Sequence, residues 1–500
     1  MILLLVFTAF LAFLFHELYW KRRNLPPGPI PLPYMGNILT MLMNKPGYEC
    51  FRNWTKKYGD VYTFWMGKTP YVMISSYDLL KDTFVRDGDT YKDKYPQPFN
   101  QKIRGGNYGI VESNGHLWNT HRRFALTTLR DFGLGKDLMH EKILIEVENI
   151  FKKFDAQLGL EQDVSVVMNN AIANVINQNI FGYRFEGDKE EDFKKLRELM
   201  EYQETAFATF KVYVEAFIPK VGALLPGRSL DVLLEEWRDN FYSFFDTQIE
   251  NHRKKIDFDS QESLDYAEAY LKEQRKQEAL GEFELFSNKQ LSNTCLDLWS
   301  AGLSTTYTTV TWALAYVLNS PEVLEKMRSE LDEVVGKDRF VTTADKNDLP
   351  YMNAAINEVQ RCANLLPVNV AHATTRDTVI NGYAIKKGTG VIAQISTVML
   401  DEKVFPDPYK FNPDRFIDEH GKLIKVEQLI PFSIGRRQCP GEGLARMEIF
   451  LFVANFFNHY QISPSSEGFP SIDKSDRVGV FPKKFKAILN RRFYGPSKEI

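Results

Sequence analysis

Pro431-Phe432-Ser433-Ile434-Gly435-Arg436-Arg437-Gln438-Cys439-Pro440-Gly441-Glu442-Gly443 sets one cysteine among glycines, with two arginines just before it. A chain can offer a single thiolate to a heme iron in this way. The thiolate, not the thiol, is the ligand, and its charge needs nearby cations or backbone N–H groups. Arg436 and Arg437 are the candidate cations. Gly435 and Gly441 lack a Cβ, so the loop can adopt φ > 0 and let a flat macrocycle approach its backbone. A buried structural cysteine in a glycine turn has the same local appearance. The rest of the chain has to decide between the two.

Composition sets the frame. Five hundred residues, 44% hydrophobic and 25% charged, are ordinary for a globular protein with a large core. A formal charge of -3 provides no general basic surface, which argues against nucleic acid as a partner. The four cysteines, Cys50, Cys295, Cys362 and Cys439, lack the close pairing of a zinc site or disulfide framework, so a reducing compartment is expected.

Met1 to Phe15 is almost wholly apolar, His16-Glu17 interrupts, Leu18-Tyr19-Trp20 resumes and Lys21-Arg22-Arg23 closes the run. Counted to Trp20, it reaches the length of about 20 residues that a bilayer core requires. The basic cluster follows the apolar run instead of preceding it. That favours an uncleaved anchor over a cleaved signal peptide and leaves the following chain cytosolic. Leu25-Pro26-Pro27-Gly28-Pro29-Ile30-Pro31-Leu32-Pro33 reads as a stiff, extended spacer. The expected organisation is an anchor at 1–20, a basic and proline-rich hinge at 21–38, and one domain at 39–500.

In that domain, helical spacing of apolar residues marks 140–156, 190–217, 230–278, 289–318 and 321–335. Val61-Tyr62-Thr63-Phe64-Trp65 and Tyr71-Val72-Met73-Ile74 alternate as strands, and Gly382 to Gly388 reads as part of a hairpin. The fold class is mainly α, with small β-sheets (α+β). The highly charged stretch 251–290 is read as a solvated surface.

Four further constellations matter, each with an ordinary reading beside the functional one. Trp118 and Arg122 are spaced i, i+4 and could be a stacked surface pair. Glu358 and Arg361 share a helix face at i, i+3, with Arg415 downstream in Phe411-Asn412-Pro413-Asp414-Arg415-Phe416. His372 is a lone histidine in Ala371-His372-Ala373. In Leu296-Asp297-Leu298-Trp299-Ser300-Ala301-Gly302-Leu303-Ser304-Thr305-Thr306, small residues precede a threonine that could simply bond to its own helix.

With the Phe-x-x-Gly-x-x-x-Cys-x-Gly loop, and in this order, these elements resemble the cytochrome P-450 family, most closely its microsomal, drug- and lipid-oxidising members. The resemblance spans nearly the whole chain. It implies the helix-rich triangular P-450 fold and heme (iron protoporphyrin) with Cys439 as axial thiolate ligand. It also assigns Trp118, Arg122, His372 and Arg437 to the heme propionates, and Glu358, Arg361 and Arg415 to a structural charge cluster. Ala301 and Gly302 would leave room over the iron, and Thr305 would relay protons. One departure stands out. The family usually has an acid just before that threonine, where this chain has Ser304, so proton delivery is in question.

No strand-linked Gly-x-Gly-x-x-Gly or Walker loop is present, so electrons must come from another protein. The resemblance implies a membrane NADPH–cytochrome reductase, with cytochrome b5 as a second donor, and a single-pass location in the endoplasmic reticulum membrane. The expected activity is monooxygenation of a small lipophilic substrate (fatty acid, steroid or xenobiotic). A heme-thiolate isomerase or dehydratase acting on lipid peroxides, or a membrane-tethered heme sensor, would share the same ligand loop. The substrate pocket is expected from 96–113, 203–218, 296–306 and the Val478-Gly479-Val480-Phe481 turn.

Overall fold

In the computed structural model, which describes residues 1–44, 48–132, 137–207, 209–474 and 480–493, the apolar spacing becomes helix through most of the chain. Helix α1 (Ile2–Leu18) buries no residue, and Ile2–Arg22 is the one described helix long and apolar enough to cross a membrane. After α2 (Glu49–Tyr58), the two alternating runs pair as an antiparallel hairpin of β1 (Val61–Met66) and β2 (Thr69–Ile74). Short β3 (Asp93–Lys94) precedes a long helical series. It comprises α3 (Gly115–Asp131), α4 (Asp137–Asp155), α5 (Val164–Phe181), α6 (Glu190–Phe207), α7 (Phe210–Phe217), α8 (Leu230–Lys255), α9 (Tyr266–Ala279), α10 (Asn288–Leu318), α11 (Pro321–Val334) and α12 (Pro350–Ala363). Strands β4 (His372–Ala373), β5 (Thr378–Ile380), β6 (Tyr383–Ile385) and β7 (Gly390–Ala393) come next, and α13 (Glu442–His459) follows the cysteine loop.

Helix α10 carries apolar residues on all sides, which only a helix inside a core can afford. It runs through the middle of the protein against α5, α8, α12 and α13 and buries Leu291, Trp299, Val310, Trp312 and Leu314. To one side lies a five-stranded sheet in the order β1-β2-β7-β4-β3, with β7 parallel to β2 and the other pairs antiparallel. Lys94 of β3 thereby comes opposite His372 of β4. The expected hairpin is β5–β6, turning at Asn381-Gly382, where both residues have φ > 0 as a tight primed turn requires.

Three expectations change. The run 230–278 is two helices, because Asp and Ser side chains cap backbone between them. Asp257 accepts from the Asp259 N–H, and Asp265 starts α9 by accepting from the Glu268 N–H. The run 190–217 likewise divides, with Thr209 capping α7. The charged stretch 251–290 is not all solvated. Tyr266, Tyr270, Leu271 and Lys272 are buried, and Lys272 Nζ donates to the Glu262 carbonyl and pairs with Glu268.

The proline-rich segment is docked on the sheet instead of standing free. Thr63 N–H of β1 donates to Pro27 O (2.9 Å), and Asn37 exchanges bonds with both backbone groups of Trp65. At Gly28 a Cβ would overlap the Thr63 carbonyl oxygen, so only glycine allows this approach.

Candidate active site

The cysteine loop is held by its own backbone. Cys439 N–H donates to Phe432 O (3.1 Å) and Gln438 N–H to Gly435 O (3.0 Å). Gly435 has φ +86°, and a Cβ there would overlap the Phe84 carbonyl oxygen. Gly441 differs from expectation: its φ is -91°, an ordinary value, and it opens α13. Cys439 is exposed, whereas Cys50, Cys295 and Cys362 are buried. Protein surrounds it closely enough for desolvation to push its thiol pKa up, opposed by the Gly441 backbone N–H and the charge of Arg122. Its sulfur thus opens onto an interior space.

The two arginines before it diverge. Arg436 is exposed and pairs with Asp89 (2.9 Å) at the surface. Arg437 turns inward and donates to Lys92 O (2.6 Å), Ser113 O (2.7 Å) and Asn114 Oδ1 (2.9 Å), clamping the loop to the residue before β3 and to the start of α3. The cation acting on the cysteine is therefore Arg122 of α3, whose Nη2 donates to Gln438 O (2.6 Å). Trp118, one turn earlier, is buried and lies under the Arg437 guanidinium at 3.8 Å, closer than under Arg122 at 5.8 Å. Trp118 is therefore no surface residue.

His372 is buried in β4 and has both ring nitrogens occupied. Tyr91 O can only accept, so Nδ1–H donates to it (2.6 Å), and Nε2 accepts from Lys94 Nζ (3.1 Å). Burial and the neighbouring Lys94 push its pKa well down, so the ring is neutral. Lys94 is a residue that the sequence reading missed. It also donates to Val370 O (3.1 Å), and burial lowers it to about 7. An ammonium has three donors, so Lys94 keeps one to offer where His372 has none.

The opposite wall is α10. Asp297 accepts from Ile110 N–H (2.8 Å), Val111 N–H (3.0 Å) and Arg104 Nη2 (2.6 Å), while Arg437 Nη1 donates to Ile110 O (3.4 Å). Arg437, Ile110 and Asp297 thus bring the cysteine loop and the middle of α10 to one place. One turn on, Ala301 is exposed within a helix that is otherwise largely buried. Thr305 Oγ1 donates to Ala301 O (2.7 Å), and Ser304 is half-buried beside it. Gly302 points elsewhere, since a Cβ there would stand 2.7 Å from Ile176 Cδ1 of α5. Its missing side chain serves helix packing, not room over a ligand.

Behind the loop, Glu358 and Arg361 are fully buried. Arg361 makes a fork of two bonds to Glu358 (2.7 and 2.8 Å), Arg415 Nε adds a third (3.0 Å) and Asn412 N–H a fourth (2.9 Å). Among the pocket residues expected from sequence, Phe207 meets Phe99 edge to face at 5.5 Å, Phe210 is exposed and Phe217 packs at Gly67. Val478 and Gly479 lie outside the described residues.

These residues fit heme. The Trp118 indole N–H is buried without a partner, and among the described residues Arg122, Arg437 and Lys94 form no salt bridge with a carboxylate. A flat ligand carrying carboxylates would answer both, and a lone open cysteine answers an iron. The group of three or more side chains that holds a bare metal ion is not found among the described residues.

Residues 26–489 match the profile of a single family, Cytochrome P450. Chicken (Gallus gallus) Cytochrome P450 2H2 is 34% identical, covering 89% of this chain and 88% of the relative. Human (Homo sapiens) Cytochrome P450 2C8 is 33% identical over 92% of each chain. Cytochrome P450 18a1 of Drosophila melanogaster is 34% identical over 99% of this chain and 93% of its own length.

Proposed function

Because this chain belongs to the cytochrome P450 family and is a heme monooxygenase, we propose that Cys439 is its iron ligand and that a small lipophilic compound is oxidised between the Cys439 loop and α10. The observation that carries the assignment is the interior exposure of Cys439, on a loop that Arg122 grips from α3. Heme bound there supplies dioxygen activation, its thiolate ligand favouring O–O cleavage.

The chain's own residues divide the remaining work. Trp118 Nε1–H, Arg122 and Lys94 bind and orient the heme carboxylates; Arg437 holds the Trp118 indole from above, and His372 fixes Lys94. Ala301 keeps the distal side open, and the Thr305 hydroxyl holds a proton at its Oγ1. Ser304 passes protons on but is too weak an acid to store one. The Phe99–Phe207 pair, joining the 96–113 segment to the 203–218 stretch, supports an apolar substrate such as a fatty acid, a steroid or a xenobiotic. Electrons come from an NADPH-dependent cytochrome reductase, with cytochrome b5 as an accessory donor. The chain is held in the endoplasmic reticulum membrane by residues 1–20, with 21–38 as a connecting segment and 39–500 as the cytosolic catalytic domain.

Cys439→Ala tests the ligand. The variant should keep its far-ultraviolet circular dichroism and lose the ferrous–CO band of a thiolate-ligated heme; a retained band would refute the assignment. A screen of lipophilic compounds for a heme spin-state shift, followed by turnover with reductase, identifies the substrate class.

A further inference from the structure

Glu112 is buried, with 7% of its surface exposed, on the segment between the short helix Pro98–Arg104 and α3. One carboxyl oxygen, Oε1, accepts from Asn100 Nδ2 (2.8 Å). The other, Oε2, has no hydrogen-bond partner among the described residues, yet it is not enclosed by protein. A carboxylate taken out of water and half-satisfied calls for a partner. The segment that carries it is fixed from both sides of the site. Asp297 of α10 holds the Ile110 and Val111 N–H groups, and Arg437 of the cysteine loop holds the Ser113 carbonyl. Glu112 therefore stands in the strip that bridges the Cys439 loop and α10.

Its field reaches Lys94, Arg437 and Arg104, and each of these cations has other work. Arg104 pairs with Asp297 at 2.6 Å. Lys94, like Arg122, faces the heme carboxylates in the reading above. Arg437 is spread over backbone carbonyls and the Trp118 ring, and the charge of Asp93 also acts on it. Glu112 is the anion of this group left without a cation of its own. Asn100, which orients it, follows Phe99, whose ring meets Phe207 in the expected pocket wall. A carboxylate beside aromatic rings selects an organic cation: the anion answers the charge, and the rings receive the apolar body and attract the charge as well. We propose that Glu112 is a specificity-determining residue and that the favoured substrates are lipophilic cations, either amines protonated at neutral pH or quaternary ammonium compounds. Their charged group rests against Glu112 while the apolar body occupies the space between the Cys439 loop and α10. The inference rests on the substrate site proposed above and narrows its ligand class.

Trimethylammonium is a suitable probe because it keeps its charge at every pH and has no lone pair with which to ligate iron. A series of n-alkyl trimethylammonium ions of increasing length should shift the heme spin state of the wild type. Their affinities should exceed, on the order of 10-fold or more, those of the neutral isosteres in which tert-butyl replaces trimethylammonium, and those of carboxylates of equal length. Glu112→Gln keeps the shape and removes the charge; it should retain the thiolate ferrous–CO band and lose the preference for the cation over its neutral isostere. Glu112→Asp keeps the charge and should retain part of the preference. A packing residue would not separate charged from neutral ligands in this way. Equal affinities for cation and isostere in the wild type, or an undiminished preference in Glu112→Gln, would overturn the proposal and leave the substrate site standing. If no compound of any charge shifts the spin state of wild type that shows the CO band, the site reading fails and the proposal with it. The wild-type comparison needs no variant to load heme.

Discussion

At Gly435 two constraints coincide: φ is +86°, and the Phe84 carbonyl occupies the space of a Cβ. Alanine at this position would have to adopt a left-handed backbone and displace the helical backbone at Phe84, which cannot yield cheaply. A strained αL residue alone costs about 1–3 kcal/mol. Gly435→Ala is therefore expected to lower the thermal midpoint and the heme content together, whereas Gly443→Ala, which has nothing within 4 Å of its Cβ position, should do neither. Absorbance per mole of protein and a melting curve decide the matter. The same scale shows what a sequence makes legible. The Cys439 loop could be read because its requirements are local: a cysteine, a glycine at positive φ and a basic residue lie within a few positions. Lys94 could not. A single lysine has no periodic signature, and it gains its meaning from a long-range neighbour, His372 across a strand pair. Arg436 and Arg437 part for the converse reason, since adjacent side chains in a turn leave in different directions.

Between elements, α8 and α9 are joined by an ion pair. His252 Nε2 lies 2.9 Å from Asp265 Oδ2, and Asp265 is also the N-cap of α9. Desolvation lowers the His252 pKa, but the hydrogen bond and charge of Asp265 outweigh it and the net shift is upward. A histidine raised in the folded state contributes stability that is complete below its unfolded pKa, about 6.5, and is lost as pH rises through the higher folded value. Amide hydrogen exchange at the start of α9 should accordingly quicken, after correction for intrinsic rates, as pH rises above that range, and His252→Gln should abolish the dependence. A flat profile in the wild type would count against the pair. The division of 230–278 into these two helices escaped the apolar pattern because that pattern runs on in phase across the break. What stops the chain is capping by Asp257 and Asp265, an interaction of side chain with backbone that periodicity does not register. The long core helix was legible to within a residue, since nothing interrupts its apolar surface for 31 residues.

For the whole molecule, the docked proline-rich segment separates two deletions that look similar on paper. Removing residues 2–20 takes away an exposed helix and should yield a soluble protein that loads heme and melts near the wild type. Removing 2–37 also strips β1 of its Pro27 and Asn37 bonds and uncovers the edge of the main sheet, so a lower melting temperature and a tendency to aggregate are expected. Equal melting temperatures for the two truncations would mean that the segment is the free spacer its prolines suggest.

The order of the main sheet also bears on the time course of synthesis. Strand β2 ends at Ile74, and its other partner, β7, begins only at Gly390. At about 5–20 residues per second, a ribosome needs roughly 15–60 s to cover that interval. Throughout it the open edge of β2 stands unpaired, with Val72 and Ile74 bare. The nascent chain thus passes a long stage in which a chaperone, and not its own sequence, has to protect that edge.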